Sequence, residues 1–91
     1  MSEGIHYRVI VTKQPEKALR KLPKNVVVRL AQAIDGLSEN PRPHHCKKLV
    51  GYENLFRVRV GDWRISYAIE DDRLIVLVLE VAARGSAYQK L

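Results

Sequence analysis

The chain has 91 residues, 46% hydrophobic and 29% charged, which predicts one folded domain over residues 1–91 and excludes a disordered chain. Sixteen Lys and Arg against ten Asp and Glu leave +6 at pH 7, favouring a polyanionic partner: nucleic acid, a ribonucleoprotein, an acidic protein or an anionic membrane. Cys46 is the lone cysteine, so an internal disulfide is excluded; no apolar run nears the roughly 18 residues of a spanning helix, and the start MSEGIHYRV is unlike a signal peptide, so a cytoplasmic protein with no membrane partner is expected.

Aromatic residues make up only 7% of the chain, so Val, Leu and Ile must build the core. Residues 5–12 (IHYRVIVT) are β-branched and aromatic and predict a first strand. Residues 13–22 predict a helix, with Pro15 tolerated in its first turn, Ala18, Leu19 and Leu22 on one face, and Pro23 as its stop. Pro23 also opens a second helix, in which Val27, Leu30, Ala31, Ile34 and Leu37 form an apolar stripe. The two make a helical hairpin whose lysines and arginines lie mostly on the wet side. Residues 38–54 (SENPRPHHCKKLVGYEN) have two prolines, a glycine and no periodicity, and predict a long connection.

Three strands follow. Residues 55–60 alternate Phe56, Val58 and Val60 against Arg57 and Arg59. Gly61 and Asp62 suit a two-residue type II′ turn, and residues 63–69 alternate again, with Arg64 on the polar side. Residues 74–82 are nearly all apolar, as in a central strand buried on both faces. The expected fold is a small α+β domain of order β-α-α-β-β-β. Its mostly antiparallel, twisted sheet carries the helical hairpin on one face and a basic cleft on the other.

The turn at Gly61 and Asp62 sets a register in which Arg59 opposes Arg64 and Arg57 opposes Ser66, all on one face. Like charges directly across a strand pair cost up to about 1 kcal/mol, so a sheet meant only to fold would avoid them. Converging guanidinium groups instead match phosphate oxygens. Lys47 and Lys48 extend this patch toward RNA or a ribosome, and Arg84 and Tyr88 complete it from the edge. Exposed strand arginines also serve solubility and edge protection, and that reading stays open. A simple hairpin places Ile75, Leu77 and Leu79 on the arginine side, to be covered by Tyr88 and Leu91. His44, His45 and Cys46 are adjacent and have no second ligand pair, so neither a metal nor another cofactor is expected. Cys46 lacks an orienting partner and reads as a reduced thiol.

The KLP joint at residues 21–23, the segment KKLVGYENLFRVRVGDWRISY and the ending VLEVAARGSAY resemble the RelE/ParE superfamily of bacterial toxins, with the RelE-like branch closer. The resemblance runs from about Tyr7 to Tyr88. It implies a type II toxin that acts as a ribosome-dependent endoribonuclease, cutting mRNA in the ribosomal A site and neutralised by a RelB-like antitoxin. Promoter DNA would be bound only through the antitoxin complex. By position, Arg57, Arg59, Arg64, Arg84 and Tyr88 match the family's catalytic set. The implied chemistry needs no metal: the RNA 2′-hydroxyl attacks its own phosphate, the arginines hold the developing charge, Tyr88 takes the 2′-proton and Arg84 steadies the leaving 5′-oxygen. Some members have lysines where this chain has Arg57 and Arg59, and many have a histidine where it has Ala83. Two other functions compete: a ParE-like poison of DNA gyrase, whose members generally lack this full residue set, and a non-catalytic basic module for RNA or ribosomes.

Overall fold

The computed structural model describes residues 5–83. Among them, β1 (Arg8–Val11) leads into α1 (Lys13–Arg20) and α2 (Lys24–Gly36), followed by β2 (Lys47–Lys48), β3 (Leu55–Val60), β4 (Trp63–Glu70) and β5 (Ile75–Ala83). These strands form one sheet in the order β1-β5-β4-β3-β2. The pair β1–β5 is parallel; β5–β4, β4–β3 and β3–β2 are antiparallel. The α+β architecture and the two helices are those the sequence predicts. The two-residue strand β2 is an addition, lying inside the segment expected to be only a connection.

The helices close one face of the sheet. Leu30, Ile34 and Leu37 are buried against Phe56, Val58, Ile65, Tyr67, Ile69, Val76, Val78 and Val81. Ala18, Leu19 and Leu22 pack on the same cluster, and Pro15 is buried where a first-turn helix N–H needs no partner. The α2 stripe is rotated from the expected one: Val26 and Ala33 flank the core, while Val27 and Ala31 are only half-buried. Beyond the end of β1, side chains continue the ladder on β5. Thr12 Oγ1 donates to the Val78 carbonyl at 2.8 Å, and the Gln14 amide both receives the Val81 N–H at 3.0 Å and donates to the Val81 carbonyl at 3.2 Å.

The β3–β4 hairpin has the expected register, Val60 opposite Trp63 and Arg59 opposite Arg64. Gly61 has φ +61°, while Asp62 is not among the positive-φ residues, as a type II′ turn requires. The Arg29 guanidinium of α2 folds over this turn, and a Cβ at Gly61 would meet its Nη2 at 2.7 Å. Register on the next pair departs from the expectation. Tyr67 opposes Val78 but Ser66 opposes Glu80, leaving Leu79 as an extra residue in a bulge. Ile75 and Leu77 do share the arginine side. Past the bulge, however, Glu80 and Ala82 take the positions on that side opposite Ser66 and Arg64, while Val81 rather than Glu80 faces the core. The β5 strand is thus not buried on both faces: Leu79 is exposed, and Ile75 and Leu77 are half-buried. The residues expected to cover them, Tyr88 and Leu91, lie outside the described residues.

A polar clamp holds the loop before β2. Asp71, in the turn between β4 and β5, accepts two hydrogen bonds from the Arg42 guanidinium, at 2.7 and 3.2 Å, and one from the Tyr7 hydroxyl at 2.6 Å. Arg42 also sits over the Phe56 ring, 5.3 Å from its centroid, and the buried Tyr67 hydroxyl donates to the Pro41 carbonyl at 2.8 Å. The Arg42 guanidinium, helped by the Tyr7 hydroxyl, holds the Asp71 carboxyl below the usual aspartate range. The bond to Asp71 in turn raises the Tyr7 phenol above its ordinary value. A carboxyl with a lowered folded-state pKa stabilises the native state above its unfolded pKa, about 3.9, and ceases to as pH falls through the folded value. Asp71→Asn is therefore expected to lower the Tm at pH 7, with the gap to the unmodified chain closing as pH drops below about 4. Thermal melts across that range check it; a gap unchanged at low pH would refute the assignment.

Candidate functional site

The face of the sheet opposite the helices carries the charge. Because residues two apart on a strand share a face, Arg57 and Arg59 of β3 project together, and the register sets Arg64 of β4 directly beside Arg59. Short β2 adds a second like-charge pair, Lys47 opposite Arg57. His45, Lys47, Arg57, Arg59 and Arg64 together line one cavity of about 150 Å³. A single water needs roughly 10–15 Å³ on this measure, so the cavity has room for a phosphate group with some of its hydration.

Among the described residues, no ion pair within 4.0 Å engages Lys47, Arg57 or Arg59; the carboxylates of Glu16, Glu70 and Asp71 are paired elsewhere, with Arg20, Arg73 and Arg42. Arg57 Nε is buried without a hydrogen-bond partner. A buried donor with no acceptor costs about 1–3 kcal/mol, more when charged, so an anion entering the cavity would relieve an existing penalty. The nearest acid by register is Glu80, in the row Lys47–Arg57–Ser66–Glu80 that crosses four strands on this face.

The structure thus brings Lys47, Arg57, Arg59 and Arg64 together. It separates Lys48, which pairs with the core residue Phe56 and so projects to the opposite, helix-covered side at the sheet edge. Arg84 and Tyr88 lie outside the described residues. His45 was visible in the sequence only as one of three adjacent residues weighed, and set aside, as a metal motif. Its place in the cavity follows from β2, since continuing the Lys47–Arg57 register by two residues sets position 45 beside Arg59. Glu80 carried its own signal: strict alternation along residues 74–82 would drive a carboxylate into the core, and a bulge avoids that. No group of three or more His, Cys, Asp or Glu side chains able to hold a metal occurs among the described residues, and none of their helices is long and apolar enough to cross a membrane.

Comparison with known proteins gives a consistent picture. The sequence profile of the ParE toxins of type II toxin–antitoxin systems (parDE) matches residues 9–88. The RelE toxin of Mycobacterium tuberculosis is 30% identical over 91 residues, covering 98% of this chain and 93% of that protein. In the RelE–RelB complex of Pyrococcus horikoshii the matching chain is 33% identical, with a TM-score of 0.80 over 90% of this chain and 99% of that one. In the RelBE2 toxin–antitoxin complex of M. tuberculosis the values are 27% and 0.78, over 94% and 100%.

Packing like charges opposite one another destabilises the apo fold. Arg59→Thr, which keeps a β-favouring side chain, is expected to stabilise the protein by a few tenths to about 1 kcal/mol at low ionic strength. The gain should shrink as salt rises from about 0.01 M to 1 M. Denaturant titrations at the two salt concentrations measure it; a less stable variant at low salt would count against charge repulsion across Arg59 and Arg64.

Proposed function

The chain belongs to the RelE/ParE superfamily of toxins from type II toxin–antitoxin systems, and from that premise we propose that it is a ribosome-dependent endoribonuclease that cuts mRNA in the ribosomal A site. The observation that carries this reading is the cavity in which Lys47, Arg57, Arg59 and Arg64 converge with a buried, unpartnered guanidinium Nε and room for a phosphate. Such a surface is suited to a phosphodiester and ill suited to folding for its own sake.

The proposed chemistry is transesterification. The 2′-hydroxyl attacks the adjacent phosphorus, the phosphorane gains negative charge on its equatorial oxygens, and the bond to the 5′-oxygen breaks to leave a 2′,3′-cyclic phosphate. Arg57, Arg59 and Arg64 hold the scissile phosphate in line and stabilise that charge, with the rigid sheet fixing their spacing. Lys47, on the same face, steers and seats the RNA backbone, while Lys48 projects to the other face and takes no part in the cavity. The family resemblance implies that Tyr88 acts as the base on the 2′-hydroxyl and that Arg84 steadies the leaving oxygen. The cytoplasm is where a ribosome-directed toxin works. Its partner is a RelB-like antitoxin whose acidic or amphipathic segment neutralises the +6 chain, and promoter DNA is reached only through that complex. Support comes from the RelE–RelB assembly of the P. horikoshii relative.

The match to the ParE toxins favours a second reading, a gyrase-directed toxin, so the test must separate the two. Primer extension on a defined mRNA in purified ribosomes should reveal cuts in the A-site codon that are absent on naked RNA. Arg64→Ala should lower the cleavage rate by about 10²–10³-fold, as loss of one oxyanion donor does, in a protein whose cooperative melting curve shows that it is still folded. Full cleavage by folded Arg64→Ala would overturn the assigned site. Growth arrest without cuts, together with inhibited supercoiling, would transfer the function to gyrase.

A further inference from the structure

The three arginines of the cavity lack one chemical capability. Cleavage leaves an alkoxide on the 5′-oxygen, a very poor leaving group unless protonated, and arginine stays protonated to above pH 12 and donates no proton. Among the residues lining the cavity, His45 is the one whose side chain ordinarily exchanges protons near neutral pH. We propose that His45 is the general acid that protonates the leaving 5′-oxygen, an inference that rests on the mRNA-cleaving reading above.

Placement supports the role. Positions 45, 47, 57 and 59 fall on one face if the Lys47–Arg57 register is continued upstream, which sets the imidazole beside Arg59 at the rim of the cavity. The segment carrying it is anchored at both ends. Downstream, β2 is bonded to β3; upstream, the Arg42–Asp71 pair and the Tyr67–Pro41 bond pin residues 41 and 42 to the sheet. Between them the Cys46 N–H donates to the Pro43 carbonyl at 2.9 Å, closing a tight turn around His45. Cations face His45 from three strands: Lys47 of β2, Arg57 and Arg59 of β3, and Arg64 of β4. On its other side it borders a second hollow beneath α2, where Gln32 and Asn40 are polar but do not titrate. His44 meets it edge-on, with ring centroids 5.5 Å apart. His45 is itself exposed, so substrate can reach it.

In the reaction, the 2′-oxygen forms a bond to phosphorus as its proton passes to the base. The P–O5′ bond then breaks with its electron pair on the 5′-oxygen, which takes the imidazolium proton; solvent restores that proton for the next turnover. The protein supplies a fixed N–H donor where the new hydroxyl forms, and no other reactant is required.

A leaving-group substitution isolates this step. In single-turnover cleavage on ribosomes, the full chain and its His45→Ala variant are compared on an mRNA whose A-site codon has either the natural 5′-oxygen or a bridging 5′-sulfur, which leaves without protonation. On the oxygen substrate His45→Ala should be slower by about 10²–10⁴-fold, the usual worth of general acid–base catalysis, and on the sulfur substrate it should come within about tenfold of the unmodified chain. Free imidazole should restore part of the oxygen rate, and His44→Ala, with its side chain outside the cavity, should behave as the unmodified chain. Equal losses on both substrates, or no loss on oxygen, would overturn the role of His45 while leaving the cleavage reading intact. An unmodified chain that cuts neither substrate would overturn the cleavage reading and this proposal with it. Exposed His45 contributes little to folding, and matching melting curves for the variants confirm that rates, not folded fractions, are compared.

Discussion

The register of the β3–β4 hairpin is the constraint on which the other features depend. A strand has a period of two, so a slip of either strand by one residue would turn its apolar side chains, Phe56 and Val58 or Ile65 and Tyr67, out of the core and bury its arginines in their place. Gly61 at φ +61° fixes the two-residue turn, and with it the pairing of Val60 with Trp63 and of Arg59 with Arg64. The same geometric fact makes one face of the sheet a continuous apolar floor for α1 and α2 and the other a convergent set of guanidinium groups. Burying several Val, Ile and aromatic side chains, at about 1.5–3 kcal/mol each, outweighs the up to about 1 kcal/mol that each like-charge pair costs. The fold can therefore tolerate a destabilised face.

That tolerance also explains where the chain puts its few well-made polar contacts. The Arg42, Asp71 and Tyr7 cluster lies at the opposite end of β4 from the hairpin turn, joining the loop before β2, the β4–β5 turn and the residue leading into β1. It satisfies its own charges, and among the described residues Lys47, Arg57 and Arg59 have no carboxylate partner. Holding residues 41 and 42 to the sheet, it also shapes the segment that delivers His45 and Lys47 to the cavity. Stability and site thus share elements without sharing residues.

Legibility in the sequence followed the range of the interactions. The alternation at residues 55–60 and 63–69 and the glycine turn between them are local, and they specified both the hairpin and the arginine cluster. The apolar stripe of α2 was readable as a helix but not to the correct angle, because the choice of Val26 and Ala33 over Val27 and Ala31 is made by the sheet it meets. Strand β2 was hidden because two residues between prolines and a glycine carry no periodicity; pairing with β3 alone makes them a strand. Without β2, the face on which Lys47, Lys48 and His45 lie could not be assigned. The bulge at Leu79 reverses facing within one apolar run, and only Glu80 betrays it.

The omissions that touch the site concern the rims of the cleft rather than its floor. The floor is set by one short-range hairpin, whose side chains can only bind and stabilise charge. On the proposed cleavage reading, proton transfer needs a group at the edge of the phosphate, and edge positions are set by long-range pairing and by loops. Arginine binds phosphate bidentately and stays charged, so a floor of three arginines would hold the phosphate and leave proton transfer to the rim.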